Sequence, residues 1–218
     1  MLSCQNLSYS YQDEEYILKD VSLNIPQGQF CFLTGASGAG KSTLLKLLSM
    51  ECNPTGGHVS LFGTNTNNLL REEKTLVRRK LGRVFQDFQL FNHLTIEENV
   101  ALPLKVLGVD KKTIRKNVRE LLHWIGLKYH RDSYPPVLSG GEKQRVAIAR
   151  AIINKPDIIF ADEPTGNLDP ELSVKLMYLF EELNKDGTTV IFATHDHHLV
   201  ENSDHSVMRL EDGRVSFS

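Results

Sequence analysis

The spacing of apolar positions changes along this chain, and each change marks an element. In residues 1–30 apolar and polar positions alternate with turn residues between them, most clearly in Val21-Ser22-Leu23-Asn24-Ile25. A period of two lines up every second side chain on one face, so the region predicts antiparallel strands. Pro26-Gln27-Gly28 predicts a turn. Phe30-Cys31-Phe32-Leu33 is apolar without alternation, as in a buried strand. Thr43-Leu44-Leu45-Lys46-Leu47-Leu48 predicts a helix with an apolar face. Residues 53–63 read as a turn and a short strand, and 64–80 as a polar, basic helix. Leu81-Gly82-Arg83-Val84-Phe85-Gln86 reads as a short strand ending in a polar side chain.

From residue 95 the period lengthens to that of helices. Thr95-Ile96-Glu97-Glu98 resembles a capping box opening one helix. A second runs from about Lys111 to Trp124, with Ile114, Val118, Leu121, Leu122 and Ile125 at helical spacing. Trp124, the only tryptophan, is expected in the core. Pro135-Pro136 closes the region. Leu138-Ser139-Gly140-Gly141-Glu142 opens another helix through Val146, Ile148, Ala149 and Ile152. Asp157-Ile158-Ile159-Phe160-Ala161 is a buried strand running into Asp162 and Glu163. A helix follows over 171–184 with Leu172, Leu176, Leu179, Phe180 and Leu183, ended by Gly187. Thr188–Thr194 is a further buried strand ending at His195. Val207–Leu210, Gly213 and Val215–Phe217 predict a closing hairpin.

Candidate chemistry falls at the junctions of these elements. Gly35-Ala36-Ser37-Gly38-Ala39-Gly40-Lys41-Ser42 fits G-x-x-x-x-G-K-[ST] between a buried strand and a helix, the context a phosphate-binding loop requires. Glycines let successive backbone N–H groups turn toward phosphate oxygens. The helix N-terminus adds partial positive charge. Lys41 can reach the outer phosphates, and the Ser42 hydroxyl can ligate Mg²⁺. Beside such a loop, the strand-end carboxylates Asp162 and Glu163 fit the acidic, Mg²⁺-holding part of a nucleotide hydrolase. The Ser139-Gly140-Gly141 helix start offers free N–H groups for a second phosphate, although by itself an ordinary N-cap with flexible glycines is the simpler reading. Tyr11 is a core residue or a stacking platform for a base, and on the residues alone core is the simpler reading. His195-Asp196-His197-His198 lacks a spaced set of further ligands, so it is not read as a metal site. His195 instead ends a strand, where parallel α/β sheets place ligand-binding residues.

Composition narrows the classes. At 218 residues the chain fits one large domain, or one domain with a subdomain, and can bury a full core. A formal net charge of -2 provides no broad basic field, so no nucleic acid partner is expected. No segment is long and apolar enough to span a bilayer, and the N-terminal stretch with Gln5, Asn6 and Asp13 has no signal-peptide pattern. A membrane role would therefore work through a partner. Cys4, Cys31 and Cys52 are scattered and odd in number, which argues against disulfides or zinc and fits a reducing cytoplasm.

Together these motifs resemble the nucleotide-binding subunits of ABC ATPases over nearly the whole chain. Leu138-Ser139-Gly140-Gly141-Glu142 matches the signature of that family, downstream of the phosphate loop at the proper distance. Gln86 matches its Q-loop, Asp162-Glu163 its Walker B, Leu168-Asp169 its D-loop and His195 its H-loop. Tyr11 matches the aromatic that stacks on adenine, reversing the core reading. The resemblance implies an α/β P-loop NTPase of ABC type in a single nucleotide-binding domain, 1–218. It would have a mixed sheet core, an N-terminal antiparallel β subdomain and an α-helical subdomain inserted at about 88–150.

The resemblance also implies an Mg²⁺-dependent ATPase that forms a homodimer on binding ATP. Gly35, Ala36, Ser37, Gly38, Ala39, Gly40, Lys41, Ser42 and Thr43 of one copy, with Tyr11, would hold ATP, and Ser139 and Gly141 of the other would close over it. Ser42, Gln86 and Asp162 would hold Mg²⁺, Glu163 would polarise the attacking water, and His195 would contact the γ-phosphate. Lys143 and Arg83 depart from the commonest wording. Gly35–Leu47, Val84–Asp87, Asn99–Leu104, Val146–Ala151 and Asp162–Asp169 are similar to the cell-division branch of the family. The last stretch is also similar to its lipoprotein-release and macrolide-export branches. The implied partner is an integral membrane subunit, with this chain peripheral on the cytoplasmic side of the inner membrane. Phe88, Leu90 and Phe91, just after Gln86, are the expected docking residues.

Overall fold

The computed structural model describes residues 1–11, 15–166 and 168–217. Asp13, and Asn167 of the Asp162–Asp169 stretch, lie outside the described residues. The alternating N-terminal region forms β1 (Leu2–Tyr9) and β2 (Leu18–Ile25), paired antiparallel. The chain turns at Gly28 into β3 (Phe30–Thr34), then through the phosphate-binding loop into α1 (Lys41–Leu48). β4 (Gly56–Leu61) returns to the first sheet and pairs with the free edge of β1, so that sheet is not built from residues 1–30 alone.

The polar stretch 64–80 corrects the single helix expected there. It divides into β5 (Thr64–Asn65), a 3₁₀ turn at Thr66–Asn68 and α2 (Arg71–Arg78). The Asn65 side chain accepts from the Asn67 N–H and starts the turn before a helix can form. β6 (Leu81–Val84) follows, then α3 (Ile96–Val106), α4 (Lys111–Trp124) and α5 (Gly140–Ile152). The remaining elements are β7 (Ile158–Asp162), α6 (Pro170–Lys185), β8 (Thr189–Ala193), α7 (His197–Glu201), β9 (Ser206–Glu211) and β10 (Arg214–Phe217).

The strands make two sheets. One is antiparallel, in order β2-β1-β4-β5; the other has the order β10-β9-β3-β8-β7-β6, parallel except for the edge strand β10. β3, β7 and β8 are buried on both faces, which is why their sequences are apolar without alternation. One face of the large sheet (Cys31, Leu33, Phe160, Ile191) shares a core with α1 and the antiparallel sheet. The opposite face (Phe32, Ala161, Val190, Phe192) packs on α5 and α6. α3, α4 and α5 enclose a third core around Val100, Val118 and Val146.

Trp124 is 55% exposed, which corrects its placement in the core. The buried face of α4 runs through Ile114, Val118 and Leu122. At about 100° per residue, position 124 falls some 200° round from Leu122, on the far side. Cys31 is fully buried in β3.

Candidate functional site

Parallel strands order the site. Because β3, β8, β7 and β6 are adjacent and run the same way, the segments that leave their C-terminal ends meet at one edge. Gly35–Ser42 follows β3, Glu163 follows β7, His195 lies two residues after β8, and Gln86 lies two after β6. Ser37, Lys41, Gln86, Glu163 and His195 line one cleft, continuous with a second that adds Gly38, Gly40, Ser42, Thr43 and Asp162.

Two glycines of the loop are required by its shape. Gly40 caps α1 with φ +102°, and a Cβ there would lie 2.9 Å from Ile17. A Cβ on Gly35, at φ +149°, would lie 2.5 Å from the Leu210 carbonyl oxygen. The loop is thus wedged against its neighbours with its backbone toward the cleft.

Lys41 is buried at the start of α1, and its Nζ donates to the carbonyls of Gly35 (2.8 Å) and Ala36 (3.2 Å). Glu163 Oε1 stands 3.8 Å from that ammonium, and Glu163 Oε2 is 2.8 Å from His195 Nδ1. The carboxylate therefore bridges a buried cation and an exposed imidazole. Glu163 has φ +48°, uncommon for a side chain of this size, and is held there by its N–H to Ala193 O and by the Gly166 N–H to its own carbonyl. A backbone conformation of this kind costs about 1–3 kcal/mol and is tolerated where the surroundings fix it.

Asp162, one residue earlier, is buried, and its Oδ1 has no hydrogen-bond partner among the described residues. A buried carboxylate oxygen without a partner is costly unless a cation or water takes it up. Asp162 and Ser42 line the same cleft, and a hard divalent cation takes this kind of oxygen donor set. The residues present therefore fit Mg²⁺.

Tyr11 lies beyond the end of β1, 48% exposed, with its ring edge-on to Tyr9 at 5.0 Å. A core role is overturned; a half-exposed ring can stack on a ligand. Ser139 caps α5 in a reciprocal box with Glu142: its hydroxyl accepts from the Glu142 N–H, and the Glu142 carboxylate accepts from the Ser139 N–H at 2.8 Å. This leaves the Gly140 and Gly141 N–H groups to other acceptors. The Ser139 N–H and hydroxyl, both donating to Glu142 Oε2 at 2.8 Å, hold the Glu142 carboxyl below the usual carboxylate range. Neither Ser139 nor Gly141 lines the cleft that holds Lys41.

The ABC transporter profile matches residues 18–166. The chain belongs to this family. Among curated ABC relatives, the cell division ATP-binding protein FtsE of Streptococcus pneumoniae is 40% identical over 99% of this chain and 94% of its own length. FtsE of Mycobacterium tuberculosis is 46% identical over 91% and 86%, and FtsE of Escherichia coli K12 41% identical over 99% and 97%. The ATP-binding cassette MJ0796, solved as a dimer in a post-hydrolysis state bound to ADP and Pi, superposes with a TM-score of 0.93. It is 40% identical and covers 99% of this chain and 97% of its own. The two-sheet architecture with packed helices is thus that of an ABC cassette.

Beside this ABC site the structure adds residues that the motifs did not single out. Arg150 of α5 donates to the carbonyls of Gln89 (2.6 Å) and Phe88 (2.9 Å), both at positive φ, and so clamps the loop after Gln86. Burial holds the Arg150 guanidinium below its ordinary value. Asn99, fully buried, grips the same loop at Phe91. Phe85, Phe91, Leu102, Pro103, Val106 and Leu107 form the apolar part of a groove of about 420 Å³ bordered by that loop, α2, β6, α3 and α5. Phe91 is its exposed member among the three residues expected to dock a partner. Arg150 and Asn99 both lie in stretches that resemble the family, but no local pattern shows what they hold, because their partners are distant loop carbonyls or lie behind a turn.

Proposed function

We propose that this chain is the ATP-hydrolysing subunit of an FtsE-like membrane complex in cell division, working with an FtsX-like integral membrane subunit. The observation that carries the chemistry is Glu163, bridged between Lys41 and His195 and adjacent to the unpartnered oxygen of Asp162. The cell-division role is supported by the FtsE relatives, matched over nearly the full chain. Among the described residues no helix is long and apolar enough to cross a membrane, so a position on the cytoplasmic face of the inner membrane would depend on that subunit.

In this reading the loop N–H groups from Gly35 to Thr43 cradle the phosphates, and Tyr11 stacks on the adenine. Lys41 exchanges its carbonyl partners for phosphate oxygens, which also draws it from Glu163. Glu163 is then free to orient and polarise the attacking water. His195 holds Glu163 through Nδ1 and contacts the γ-phosphate. Ser42, Asp162 and Gln86 would hold Mg²⁺, directly or through water. That ion would supply charge neutralisation on the phosphates. Ser139 and Gly141, outside the cleft of their own copy, would close the site of a second copy, making ATP the bridge of a homodimer. The groove beside Gln86, rimmed by Phe91, would receive a helix of the membrane subunit, so that nucleotide binding and partner shape are coupled.

Glu163→Gln should keep ATP binding and lose at least about 10²-fold in turnover, the scale of a positioned base. Lys41→Ala should lose nucleotide binding. With ATP, Glu163→Gln should elute as a dimer and the double variant with Ser139→Arg as a monomer. Unchanged phosphate release by Glu163→Gln rejects the chemistry. For the partner, Phe91→Asp should release the protein from membranes with ATP binding intact, and depletion should give filamentous cells. Normal division on depletion, with retention by a lipoprotein-releasing complex, would favour that branch of the family instead.

A further inference from the structure

Arg83 stands where an uncharged residue would suffice for a buried strand. Its neighbours Gly82 and Val84 are buried, and its own side chain is only 10% exposed. In the parallel register Arg83 pairs with Phe160, so both project from one face of the sheet. Asp162 is two residues beyond Phe160 and shares that face. Arg83 therefore lies along the sheet beneath α1, stacked on Phe85 with the guanidinium carbon 5.2 Å from the ring centre.

The guanidinium spans two carboxylates unequally. Nε donates to Glu51 Oε1 at 2.8 Å, and that oxygen also accepts from Ser49 Oγ at 2.8 Å. Nη2 stands 3.7 Å from Asp162 Oδ2, an ion-pair distance but too long for a hydrogen bond. Among the described residues Nη1 and Nη2 have no hydrogen-bond partner, and neither does Asp162 Oδ1. A pair serving stability alone would close to the two-pronged geometry that arginine and carboxylate prefer. Here the short bond goes to Glu51, which offsets most of the guanidinium charge. What reaches Asp162 is a weak electrostatic hold that leaves the carboxylate without a short hydrogen bond from the guanidinium.

We infer that Arg83 is a positioning residue for the metal-ligating carboxylate: it steadies the Asp162 side chain in the orientation that presents the carboxylate to Mg²⁺. This rests on the ATPase reading above. Groups that orient a ligand from behind typically contribute 10–100-fold to metal affinity. Lysine is a poor substitute, because one ammonium cannot reach both carboxylates in the fork geometry of arginine.

The test is calorimetric binding of ADP to the full chain, in a series of Mg²⁺ concentrations and in EDTA. Arg83→Met should raise the Mg²⁺ needed for half of the full gain in ADP affinity by about tenfold or more, with the EDTA affinity kept within about twofold. Arg83→Lys should recover part of the loss. An Arg83→Met midpoint equal to or below that of the wild type overturns the inference, the lower value showing that the guanidinium competes with the metal. An equal loss with and without Mg²⁺ also overturns it, since Arg83 would then serve the fold alone. If Arg83→Met does not fold, Arg83→Lys decides, and a wild-type midpoint there overturns the inference. A wild-type chain whose ADP binding ignores Mg²⁺ would overturn the ATPase reading and this inference together.

Discussion

Asn99 gives a sharp test of how the site is held. Its side chain is fully buried at the first turns of α3. Oδ1 accepts from the Phe91 N–H at 2.9 Å, while Nδ2 lies within 3.0–3.1 Å of the Phe91, Leu94 and Thr95 carbonyls. Two N–H groups serve three carbonyls, so about three full hydrogen bonds are at stake. At a net 0.5–1.5 kcal/mol each, and with the Phe91 end able to rehydrate, Asn99→Ala should cost about 2–4 kcal/mol. Asn99→Asp should cost more than alanine. It keeps the acceptor for Phe91 N but loses both donors and turns a carboxylate toward three carbonyls. Urea unfolding measures the stabilities, and hydrogen exchange at the Phe91 amide reports the loop directly. A loss under about 0.5 kcal/mol for Asn99→Ala, the range of an ordinary surface change, would show that these bonds do not hold the loop. So would an Asn99→Asp variant more stable than Asn99→Ala.

Three further outcomes follow from the structure. Hydrogen bonds from Thr95 and Ser139 hold the Glu98 and Glu142 carboxyls below their ordinary values. Their stabilising effect is therefore full above about pH 4.5 and lost as pH falls through the depressed folded values. Glu98→Gln and Glu142→Gln should flatten the acid limb of a stability–pH curve, and an unaltered limb would contradict this. Burial pushes the Cys4 thiol up to about 11 and the Cys31 thiol up to about 12, whereas Cys52 is partly exposed. At pH 8 a disulfide reagent should label Cys52 first and the other two only on unfolding; three equal rates would count against the fold. Trp124, more than half exposed, should be readily quenched by acrylamide in the native state, with little gain on unfolding. A native tryptophan shielded from quencher would restore it to the core.

Local features were legible in the order of residues. The phosphate loop lies on one continuous stretch, so its glycines, Lys41 and Ser42 are legible as spacing. Buried strands read as apolar runs because parallel strands hide both faces, and α4 shows its core face through Ile114, Val118 and Leu122. The capping box at Thr95 was also legible, being a pair of bonds across three residues, whereas at Ser139 only the N-cap was read and the structure added its bond to Glu142. Local pattern failed where a short-range signal competed or none existed. At 64–80 the side-chain turn of Asn65 interrupted a polar run of helical appearance. Trp124 was misplaced because hydrophobicity was weighed above its angle on the helix.

Tertiary structure alone decided the meetings. The strand order β3-β8-β7-β6 brings Lys41, His195, Glu163 and Gln86 to one edge, although they span residues 41 to 195 of the chain. It returned β4 to the N-terminal sheet and set Arg150 against the loop after Gln86, 61 and 62 residues away. It laid Arg83 between Glu51 and Asp162, a placement set by the register of β6 on β7. Such contacts leave no period in the sequence, because register and strand order are fixed by the burial of whole faces rather than by neighbours along the chain.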